Sequence, residues 1–309
     1  MNFLKPKFWD DNKISLLSIL LFPISLLFKL LNFLKRSLTK SNKSPIPVIC
    51  VGNIYLGGTG KTPLCIEIFS ILKKLNVNPV FIRKHYDLYQ DEVELQKKIG
   101  PVYQSKKRIE AIKKAVMDKA DIAILDDGFQ DFSIKKNLSI VCFNEKQWLG
   151  NGLNIPAGPL RENFSAIKRA NCIVVNGEKN EKIENQVFSI SKELKIFYSK
   201  YEPQNINNFK NAQVIAFAGI GNPKNFFDLL KKNKIHILEE LNYPDHHKYS
   251  KNELEKLIKK SKEKNAVLLT TEKDYFRIEK DYKVNVKYLK IKLKIENQDL
   301  FINEIKKII

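Results

Sequence analysis

The sequence predicts an α/β protein whose strands form parallel sheets. Two sets of apolar runs of strand length support this fold class, and helical or loop segments separate the runs. The first set lies at 78–83, 121–126, 138–143 and 171–176, and the second lies at 213–220, 234–240, 265–271 and 286–293. Strands that are buried on both faces of a parallel sheet are almost continuously apolar. The two sets therefore indicate two α/β domains, which a length of 309 residues also favours.

A glycine-rich stretch at 51–63, VGNIYLGGTGKTP, has the context of a phosphate-binding loop. An apolar run precedes it, and Leu64, Ile68 and Leu72 follow it at helical spacing. Glycines let the backbone approach an anion closely, and the N-terminus of the following helix adds amide donors. The loop consists of Gly57, Gly58, Thr59, Gly60, Lys61 and Thr62. The strict pattern has a glycine where Tyr55 stands, so the alternative is an ordinary glycine-rich turn that caps a helix.

Two residues of this loop predict its chemistry. Lys61 is expected to reach the outer phosphates of a nucleotide, and the Thr62 hydroxyl is expected to ligate a magnesium ion. A further metal-binding group should come from the end of another strand. At 120–130, ADIAILDDGFQ, an apolar run ends in Asp126 and Asp127, and such carboxylates suit Mg²⁺. The alternative is an Asp-Gly turn that ends the strand.

The composition limits the classes of partner. The formal net charge of +20 indicates an anionic membrane surface or nucleic acid, unless it reflects a general bias in composition. No stretch interleaves Lys or Arg with stacking aromatic residues, so we expect no nucleic-acid binding. The four cysteines lie far apart in the sequence, which favours reduced thiols over a disulfide framework or a zinc site.

The N-terminal region predicts a membrane-associated helix. Residues 14–28 carry no charge, and the apolar stretch extends to Leu34 if the Lys29 side chain reaches the interface. A membrane span needs about 20 residues. The basic residues that follow are Lys35, Arg36, Lys40 and Lys43, so the rest of the chain should lie on the cytoplasmic side. The alternatives are a secretory signal, for which no cleavage site follows, and a helix buried in the protein's own core.

Seven motifs occur in order along the chain: GNIYLGGTGKTP, DEV, DDGFQ, GNGLNIPAGPLRE, FAGIGNPKNFF, YPDHHKYS and LLTTEKD. In this combination the sequence resembles the tetraacyldisaccharide 4'-kinases, the lipid A 4'-kinases of Gram-negative bacteria, from about residue 15 to about residue 276. The resemblance implies a P-loop NTPase-like domain joined by a β-ribbon to a second, smaller α/β domain. It also implies transfer of the γ-phosphate of ATP to the 4'-hydroxyl of a tetraacyldisaccharide 1-phosphate, with ATP and Mg²⁺ as cofactors. The implied partners are the lipid A disaccharide precursor and the inner membrane at its cytoplasmic face, and we expect a monomer.

The resemblance also implies roles for particular residues, each beside a structural alternative. Asp91 and Glu92 would lie opposite the nucleotide, with Asp91 helping to activate the sugar hydroxyl, unless they are solvated acids at a helix N-terminus. Arg108 and Arg161 would contact phosphate, unless the first is an exposed helix charge and the second part of a structural turn. His246 would be catalytic rather than a surface histidine. The expected catalytic residues are Asp91, His246 and Lys61, the substrate-binding residues are Glu92, Arg108 and Arg161, and the metal ligands are Thr62, Asp126 and Asp127.

The predicted organisation is an anchor helix at 1–40, a P-loop kinase domain at 41–185, a two-stranded linker at 186–205 and a C-terminal α/β domain at 206–309. These boundaries place Asp91 and His246 in different domains, so the two would pair only when the domains close over the substrate. A carboxylate oriented by a histidine could then serve as the base for the acceptor hydroxyl.

Three places depart from the family's usual residues. IRKHYD at 82–87 stands where the family has a Ser-Arg-Gly-Tyr-like turn, and Asp131 stands where a histidine often follows DDGFQ. In CFNEKQWLG at 142–150 an aspartate that is common in the family is replaced. All three departures concern substrate contact and leave the nucleotide chemistry intact. The alternative function is a membrane-associated P-loop ATPase that acts as a switch on a protein partner.

Overall fold

The computed structural model describes residues 5–11, 13–85 and 90–309. Its helices are α1 Leu16–Leu38, α2 Lys61–Lys74, α3 Gln90–Lys97, α4 Arg108–Met117, α5 Glu181–Ile190, α6 Pro223–Lys232, α7 Lys251–Glu263, α8 Glu272–Arg277 and α9 Gln298–Lys306. Its strands are β1 Val48–Gly52, β2 Pro79–Lys84, β3 Val102–Ser105, β4 Ile122–Asp126, β5 Leu138–Asn144, β6 Cys172–Asn176, β7 Lys195–Pro203, β8 Gln213–Ala218, β9 His236–Asn242, β10 Val267–Thr271, β11 Lys287–Leu289 and β12 Ile291–Ile295.

The chain divides into two compact units. Of the described residues, the larger unit comprises 5–85, 100–200 and 293–309, and the smaller unit comprises 90–99 and 201–292. The larger unit is built on an eight-stranded sheet with the strand order β12-β7-β6-β5-β1-β4-β2-β3. Its central strand β1 pairs in parallel with β4 and β5, and all five β1 residues are buried. Loops that follow β1 and β4 therefore leave the sheet at the same edge.

Each unit has a sheet with helices packed on it, and in the larger unit the strand pairs from β3 to β7 are parallel. In the larger unit, Val48 and Cys50 of β1 share a core with Ala111 and Ile112 of α4. In the smaller unit, the sheet order is β11-β10-β8-β9, and all of these pairs are parallel. Two separate apolar clusters pack on it, one with α6 and one with α7. The α/β class and the predicted parallel strands are confirmed, although the run at 286–293 splits into β11 and β12, which belong to different sheets.

The predicted two-stranded linker at 186–205 is wrong in its first half. Residues 186–190 belong to α5, which is capped by the Asn180 side chain, and only the second half forms a strand, β7. Ile183 and Val187 are buried one helical turn apart, a spacing that the short apolar run concealed. The neighbour of β7 in the sheet is β12, and the division between the two units falls within both strands, after residue 200 and after residue 292.

The unit boundaries also differ from the predicted domains. Residues 90–99, which carry α3, group with 201–292, and residues 293–309 group with the larger unit. There α9 buries Phe301 and Ile305 completely, and the ring of Phe301 packs edge-on against Phe197 at a centroid distance of 5.1 Å. Both departures involve pieces of chain that pack far from their sequence neighbours, which chain order does not reveal.

Helix α1 contacts the rest of the larger unit through two buried serines on one side of the helix. Ser15 caps it, and it continues for 23 residues through Pro23. It is the one helix of the described chain that is long and apolar enough to cross a membrane. Its large apolar side chains are mostly exposed, so a helix buried in the protein's own core is not what the sequence forms. The buried residues of α1 are Ser18 and Ser25.

The four cysteines are buried and free, as predicted. Burial raises the pKa of the Cys172 thiol to about 12, and it also raises the pKa of Cys50. Thiols that stay protonated at neutral pH are poor nucleophiles and metal ligands. The cysteines therefore act as packing residues.

Candidate active site

The phosphate loop connects the end of β1 to the start of α2. Gly57, Gly58 and Gly60 have φ angles of 80°, 57° and 89°, a region that favours glycine. Gly60 is the N-cap of α2, and Lys61 is the first helical residue. The loop thus has the strand-loop-helix setting that the sequence predicts, and the amide groups of the helix N-terminus lie at its end.

Two amide side chains organise this loop. Asn53 is fully buried, and its Nδ2 donates to Thr59 Oγ1 at 3.0 Å and to the Tyr55 carbonyl. Gln130 Nε2 donates to the Asn53 carbonyl at 2.9 Å and to Glu162 Oε1 at 3.0 Å. The sequence assigns neither amide a role, and its only signal is their position inside the motifs GNIYLGGTGKTP and DDGFQ. They fix the phosphate loop to the loops that follow β4 and β5.

Asp126 lies at the end of β4, beside the start of α2. Its Oδ2 accepts a hydrogen bond from Thr62 Oγ1 at 2.9 Å and forms an ion pair with Arg83 NH1 at 2.5 Å. Both members of this ion pair are buried. Arg83 and Thr62 thus both contact Oδ2 of Asp126, and the ion pair with Arg83 orients the carboxylate toward the Thr62 hydroxyl.

Asp127 is the next residue and faces the cations of the loop. Its φ angle of 54° turns the chain away from β4. Its Oδ1 accepts from Arg161 NH1 at 2.8 Å, and Lys61 Nζ lies 3.7 Å away. The structure thus brings three predicted site residues, Lys61, Asp127 and Arg161, to one point.

Arg108 is a buried residue and not an exposed helix charge. Its NH2 group donates to the carbonyls of Asp126 and Asp127 at 3.2 and 2.9 Å, and its NH1 group donates to Asp131 Oδ2 at 2.8 Å. Burial opposes ionisation of Asp131, but hydrogen bonds from Ser133 and the charge of Arg108 outweigh it and lower the pKa of this carboxyl. Arg108 thereby fixes the backbone that carries the two metal-ligand candidates.

The donor set fits a magnesium ion. Thr62, Asp126 and Asp127 supply hydroxyl and carboxylate oxygens, the ligands that Mg²⁺ prefers. Within the described ranges no group of three or more His, Cys, Asp or Glu residues could hold a metal ion by itself. Mg²⁺ in nucleotide sites keeps several waters and takes oxygens from the phosphates, so one or two carboxylates are sufficient.

A second cluster of ionisable residues lies in the smaller unit, around Asp91 of α3. Asp91 is buried, and its Oδ2 accepts from Arg277 Nε at 3.0 Å and also from Arg277 NH2. His246 Nδ1 lies 3.4 Å from the same oxygen. The predicted separation of Asp91 and His246 into two domains is therefore wrong, because both residues belong to one unit and already lie next to each other.

Lys273 completes this cluster. Its Nζ lies 2.7 Å from Glu92 Oε1, 3.8 Å from Asp91 Oδ2 and 3.4 Å from His246 Nε2. Burial alone would raise the pKa of Asp91, but the hydrogen bond from His246 and the charges of Lys273 and Arg277 lower it to about 2. The opposite charges of Glu92, Asp245 and Asp91 outweigh burial at Lys273 and raise its pKa.

The backbone beneath the cluster is also fixed. Asp274 is fully buried and accepts from Gly219 N at 3.1 Å, from Tyr249 Oη at 3.0 Å and from Arg277 NH1 at 2.9 Å. His246 has a positive φ of 59°, and its amide donates to the Gly219 carbonyl at 3.1 Å. The sequence-based site lacked Lys273, Asp274 and Arg277. The available signal was the Thr-Thr-Glu-Lys-Asp stretch, in which Thr271 caps α8.

The comparisons with known proteins agree over nearly the whole chain. A family model described as tetraacyldisaccharide-1-P 4'-kinase matches residues 17–309. The chain belongs to the tetraacyldisaccharide 4'-kinase family. A tetraacyldisaccharide 4'-kinase of Pelagibacter ubique is 43% identical over 311 residues, which cover 100% of this chain and 99% of the relative. The enzyme of that name from Rickettsia akari is 34% identical, over 97% of this chain and 96% of the relative.

A solved structure of the tetraacyldisaccharide 4'-kinase family agrees with the fold. LpxK from Aquifex aeolicus, crystallised in complex with ATP, superposes with a TM-score of 0.74 and 27% sequence identity. The match covers 95% of this chain and 99% of the other. The chain is thus an ATP-dependent kinase of lipid A biosynthesis with a P-loop NTPase-like fold, and the resemblance found in the seven motifs is confirmed.

The departures from the family's usual residues have structural partners here. Arg83 pairs with Asp126, and Asp131 pairs with Arg108, so both belong to the support of the nucleotide site. Lys84 ends β2, and the last two residues of IRKHYD lie outside the described residues.

Proposed function

We propose that this tetraacyldisaccharide 4'-kinase binds ATP and Mg²⁺ in its larger unit and activates the 4'-hydroxyl of tetraacyldisaccharide 1-phosphate with the Asp91–His246 pair. The observation that carries this proposal is the constellation at the phosphate loop. Thr62 bonds to Asp126, and Asp127 lies between Lys61 and Arg161. A glycine-rich turn with a purely capping role would not need these four charged groups at one point.

At the nucleotide site the protein's own work is to position and neutralise charge, because phosphoryl transfer needs little covalent help. Lys61 and Arg161 would leave Asp127 for the β- and γ-phosphates, since phosphate offers more negative charge and bidentate geometry. The Thr62 hydroxyl, Asp126 and Asp127 would hold Mg²⁺, which would supply positive charge to offset the charge of the phosphates. Arg108 and Arg83 keep the two carboxylates in position.

At the acceptor, we infer different tasks for the two members of the pair. A carboxylate only accepts hydrogen bonds, so His246 carries its proton on Nδ1, toward Asp91. Its Nε2 lone pair then accepts from Lys273 Nζ at 3.4 Å, a place that the acceptor hydroxyl would take when the substrate binds. Because the pKa of Asp91 is about 2, its carboxylate is a weak base at neutral pH. We therefore infer that the hydroxyl proton passes to His246 Nε2, and that Asp91 stabilises the imidazolium that forms. This assigns the base to the histidine, whereas the sequence suggests the carboxylate.

Glu92 would contribute through Lys273. The Glu92–Lys273 ion pair of 2.7 Å holds the lysine beside His246 Nε2. A fixed ammonium at this point would also attract the anionic, phosphate-bearing acceptor. Glu92 is thus proposed to position a substrate-binding cation.

The membrane role rests on α1. Its exposed apolar side chains, with Lys35 and Arg36 in the last turn, fit a helix that binds the inner membrane from the cytoplasmic face, where ATP is found. Leu20 and Leu27 are 65% and 56% exposed, so Leu20→Glu with Leu27→Glu should release the chain from vesicles. Lys119→Glu matches the charge change on the body of the protein. Full retention of the double variant on vesicles at physiological salt would show that another surface contacts the membrane.

We also propose that the chain works as a monomer.

The reaction itself is tested with γ-labelled ATP, with and without the tetraacyldisaccharide 1-phosphate. We expect label in the lipid, an additional phosphate monoester at the 4'-position, and one ADP for each lipid labelled. An ATPase switch would instead release ADP at the same rate with and without the lipid, and that result would contradict the proposal.

A further inference from the structure

Tyr55, which stands where the strict phosphate-loop pattern has a glycine, is tied to the chain that leads into α1. Its side chain is fully buried. Its hydroxyl donates to Asp10 Oδ1, and Lys5 Nζ donates both to the Tyr55 hydroxyl and to the same carboxylate. The Lys5 ammonium also lies 4.6 Å from the centroid of the Tyr55 ring. We call Lys5, Asp10 and Tyr55 the latch.

The Lys5 ammonium, the Asp10 carboxylate and the Tyr55 hydroxyl each form hydrogen bonds with another member of the latch. Burial, together with the neighbouring Asp10 carboxylate, raises the pKa of the Tyr55 hydroxyl, so the hydroxyl stays protonated and donates. Removing one member of such a partly buried network leaves the others without their partner, which costs more than an exposed hydrogen bond contributes.

On its other side, Tyr55 borders the phosphate loop. The Leu56 amide donates to the Pro159 carbonyl at 2.9 Å, and the Arg161 amide donates to the Ile54 carbonyl at 2.7 Å. Residues 54–56 are thereby paired with 159–161, the stretch from which the Arg161 side chain reaches Asp127. Gly57, the first glycine of the loop, follows directly.

The residues just before this stretch, from 150 to 158, form hydrogen bonds with α1 and with Trp9 before it. Asn151 Nδ2 donates to Ser18 Oγ at 3.1 Å, and Ser25 Oγ donates to the Asn154 carbonyl at 2.9 Å while accepting from the Ala157 amide at 3.0 Å. Trp9 Nε1 donates to the Pro156 carbonyl at 3.0 Å. The membrane helix and its leading segment therefore contact the nucleotide site at two places, through Tyr55 and through the segment that ends in Arg161.

We propose that Tyr55 is a positioning residue for ATP, which holds the phosphate loop in its binding conformation by connecting it to the segment before α1. Seating of α1 and binding of ATP then favour each other, because both use the same placement of residues 54–56 and 159–161. A loop displaced by about 1 Å would lose much of its fit to the phosphates. This inference rests on the proposed ATP site at Lys61.

The test compares Tyr55→Phe with Tyr103→Phe in the full-length chain in detergent micelles. Tyr103 makes a similar bond to a carboxylate, from its hydroxyl to Asp118 Oδ2 at 2.6 Å, but at an exposed site on β3. We expect Tyr55→Phe to raise the KM for ATP and the Kd for a non-hydrolysable ATP analogue about tenfold, with kcat and the KM for the lipid within about twofold. Tyr103→Phe should change none of these constants.

Further variants separate the latch from simple packing. Asp10→Asn should raise the KM for ATP as Tyr55→Phe does, and the double variant should be scarcely worse than either single one, because the residues act as a unit. Ser25→Ala should raise the KM for ATP through the second contact, whereas Ser37→Ala, at an exposed serine of the same helix, should not. An unchanged analogue Kd in Tyr55→Phe would overturn the proposal, and so would a lower Tm without a change in that Kd. If the wild type binds the analogue but labels no lipid, the proposed reaction fails while the latch is still tested by the Kd.

Discussion

The nucleotide site and the Asp91 cluster are built in opposite ways. The nucleotide site is made of loops at the ends of adjacent parallel strands, and backbone groups and short-range motifs define it. The Asp91 cluster is made of side chains from α3, the 245–247 turn and α8, which are far apart in sequence, and buried ion pairs define it. The first site has glycines where the backbone must approach an anion. The second has charges whose mutual neutralisation sets which group can accept a proton.

Because the two sites are built differently, substitutions at each should change different kinetic constants. Loss of a backbone-defined site should appear in ATP binding and in turnover together, since the same atoms bind the ground state and the transition state. Loss of the ion-paired cluster should appear in kcat with little change in ATP affinity, because the cluster is proposed to act on the acceptor hydroxyl. The substitutions below test that contrast.

The largest effect is expected at the phosphate loop. Lys61→Ala or Asp126→Ala should lower turnover by about a thousandfold or more, because each removes charge that faces the transferring phosphate and its metal. Lys74→Ala, an exposed lysine at the end of the same helix α2, is the matched control and should leave turnover unchanged. Near-normal transfer by a folded Lys61→Ala or Asp126→Ala enzyme would remove the site assignment.

The next effect is expected at the pair in the smaller unit. Asp91→Ala and His246→Ala should each lower kcat by about a hundredfold with little change in ATP affinity, as expected for a lost general base. The double variant should be scarcely worse than the worse single variant, because the two act as one unit. His236→Ala, an exposed histidine on β9, serves as the control. Losses that multiply fully in this cycle would show that the two residues act independently.

A smaller effect is expected at Arg161. Arg161→Ala should raise the KM for ATP by about tenfold, because a bidentate phosphate contact is lost while the loop glycines stay in place. Arg161→Lys should restore only part of the affinity for ATP, since an ammonium cannot form the two parallel hydrogen bonds of a guanidinium. Steady-state kinetics at saturating lipid measures both. An unchanged KM in Arg161→Ala would mean that the arginine only pairs with Asp127.

The last effect is of a different kind, on stability at low pH, and tests the charges of the Asp91 cluster. The pKa of Asp91 falls from its ordinary value of 3.8 to about 2 in the folded protein, so the folded state holds the proton less tightly than the unfolded state. The stabilisation is therefore present above about pH 4 and is lost as the pH falls toward 2, with a total of about 2 kcal/mol. Urea titrations between pH 2 and pH 4 should show this loss in the free energy of unfolding of the wild type and not in that of Asp91→Asn. A pH dependence that is the same in both would contradict the ion-paired cluster.

The sequence predicted most of the residues that meet at the proposed nucleotide site, but only part of the Asp91 cluster, for a physical reason. Residues 51–63 and 120–130 form their contacts through neighbouring residues on two strands that pair with each other, so local pattern and strand order suffice. Arg277 reaches Asp91 from a position 186 residues away, and no periodicity encodes that contact. Asp91 and His246 were found through motif resemblance, while their grouping into one unit required the structure.

The same distinction explains the errors in the fold. The stretch at 186–190 is short and apolar, and strand and helix cannot be separated by periodicity over so few residues. The position of α9 in the larger unit depends on β12 pairing beside β7, a long-range choice. Helix α1 was predictable because its apolar run is long, but its two buried serines, which attach it to residues 151–157, carry no sequence signal of their own.

The division of tasks between the two regions is tested most directly by the affinity for ATP of Lys61→Ala and His246→Ala, measured by equilibrium binding of a non-hydrolysable analogue alongside transfer to the lipid. We predict that Lys61→Ala loses both binding and transfer, whereas His246→Ala binds the analogue as tightly as the wild type and fails to transfer phosphate. Equal weakening of analogue binding in both variants would contradict it, because the cluster around His246 would then be part of the nucleotide site.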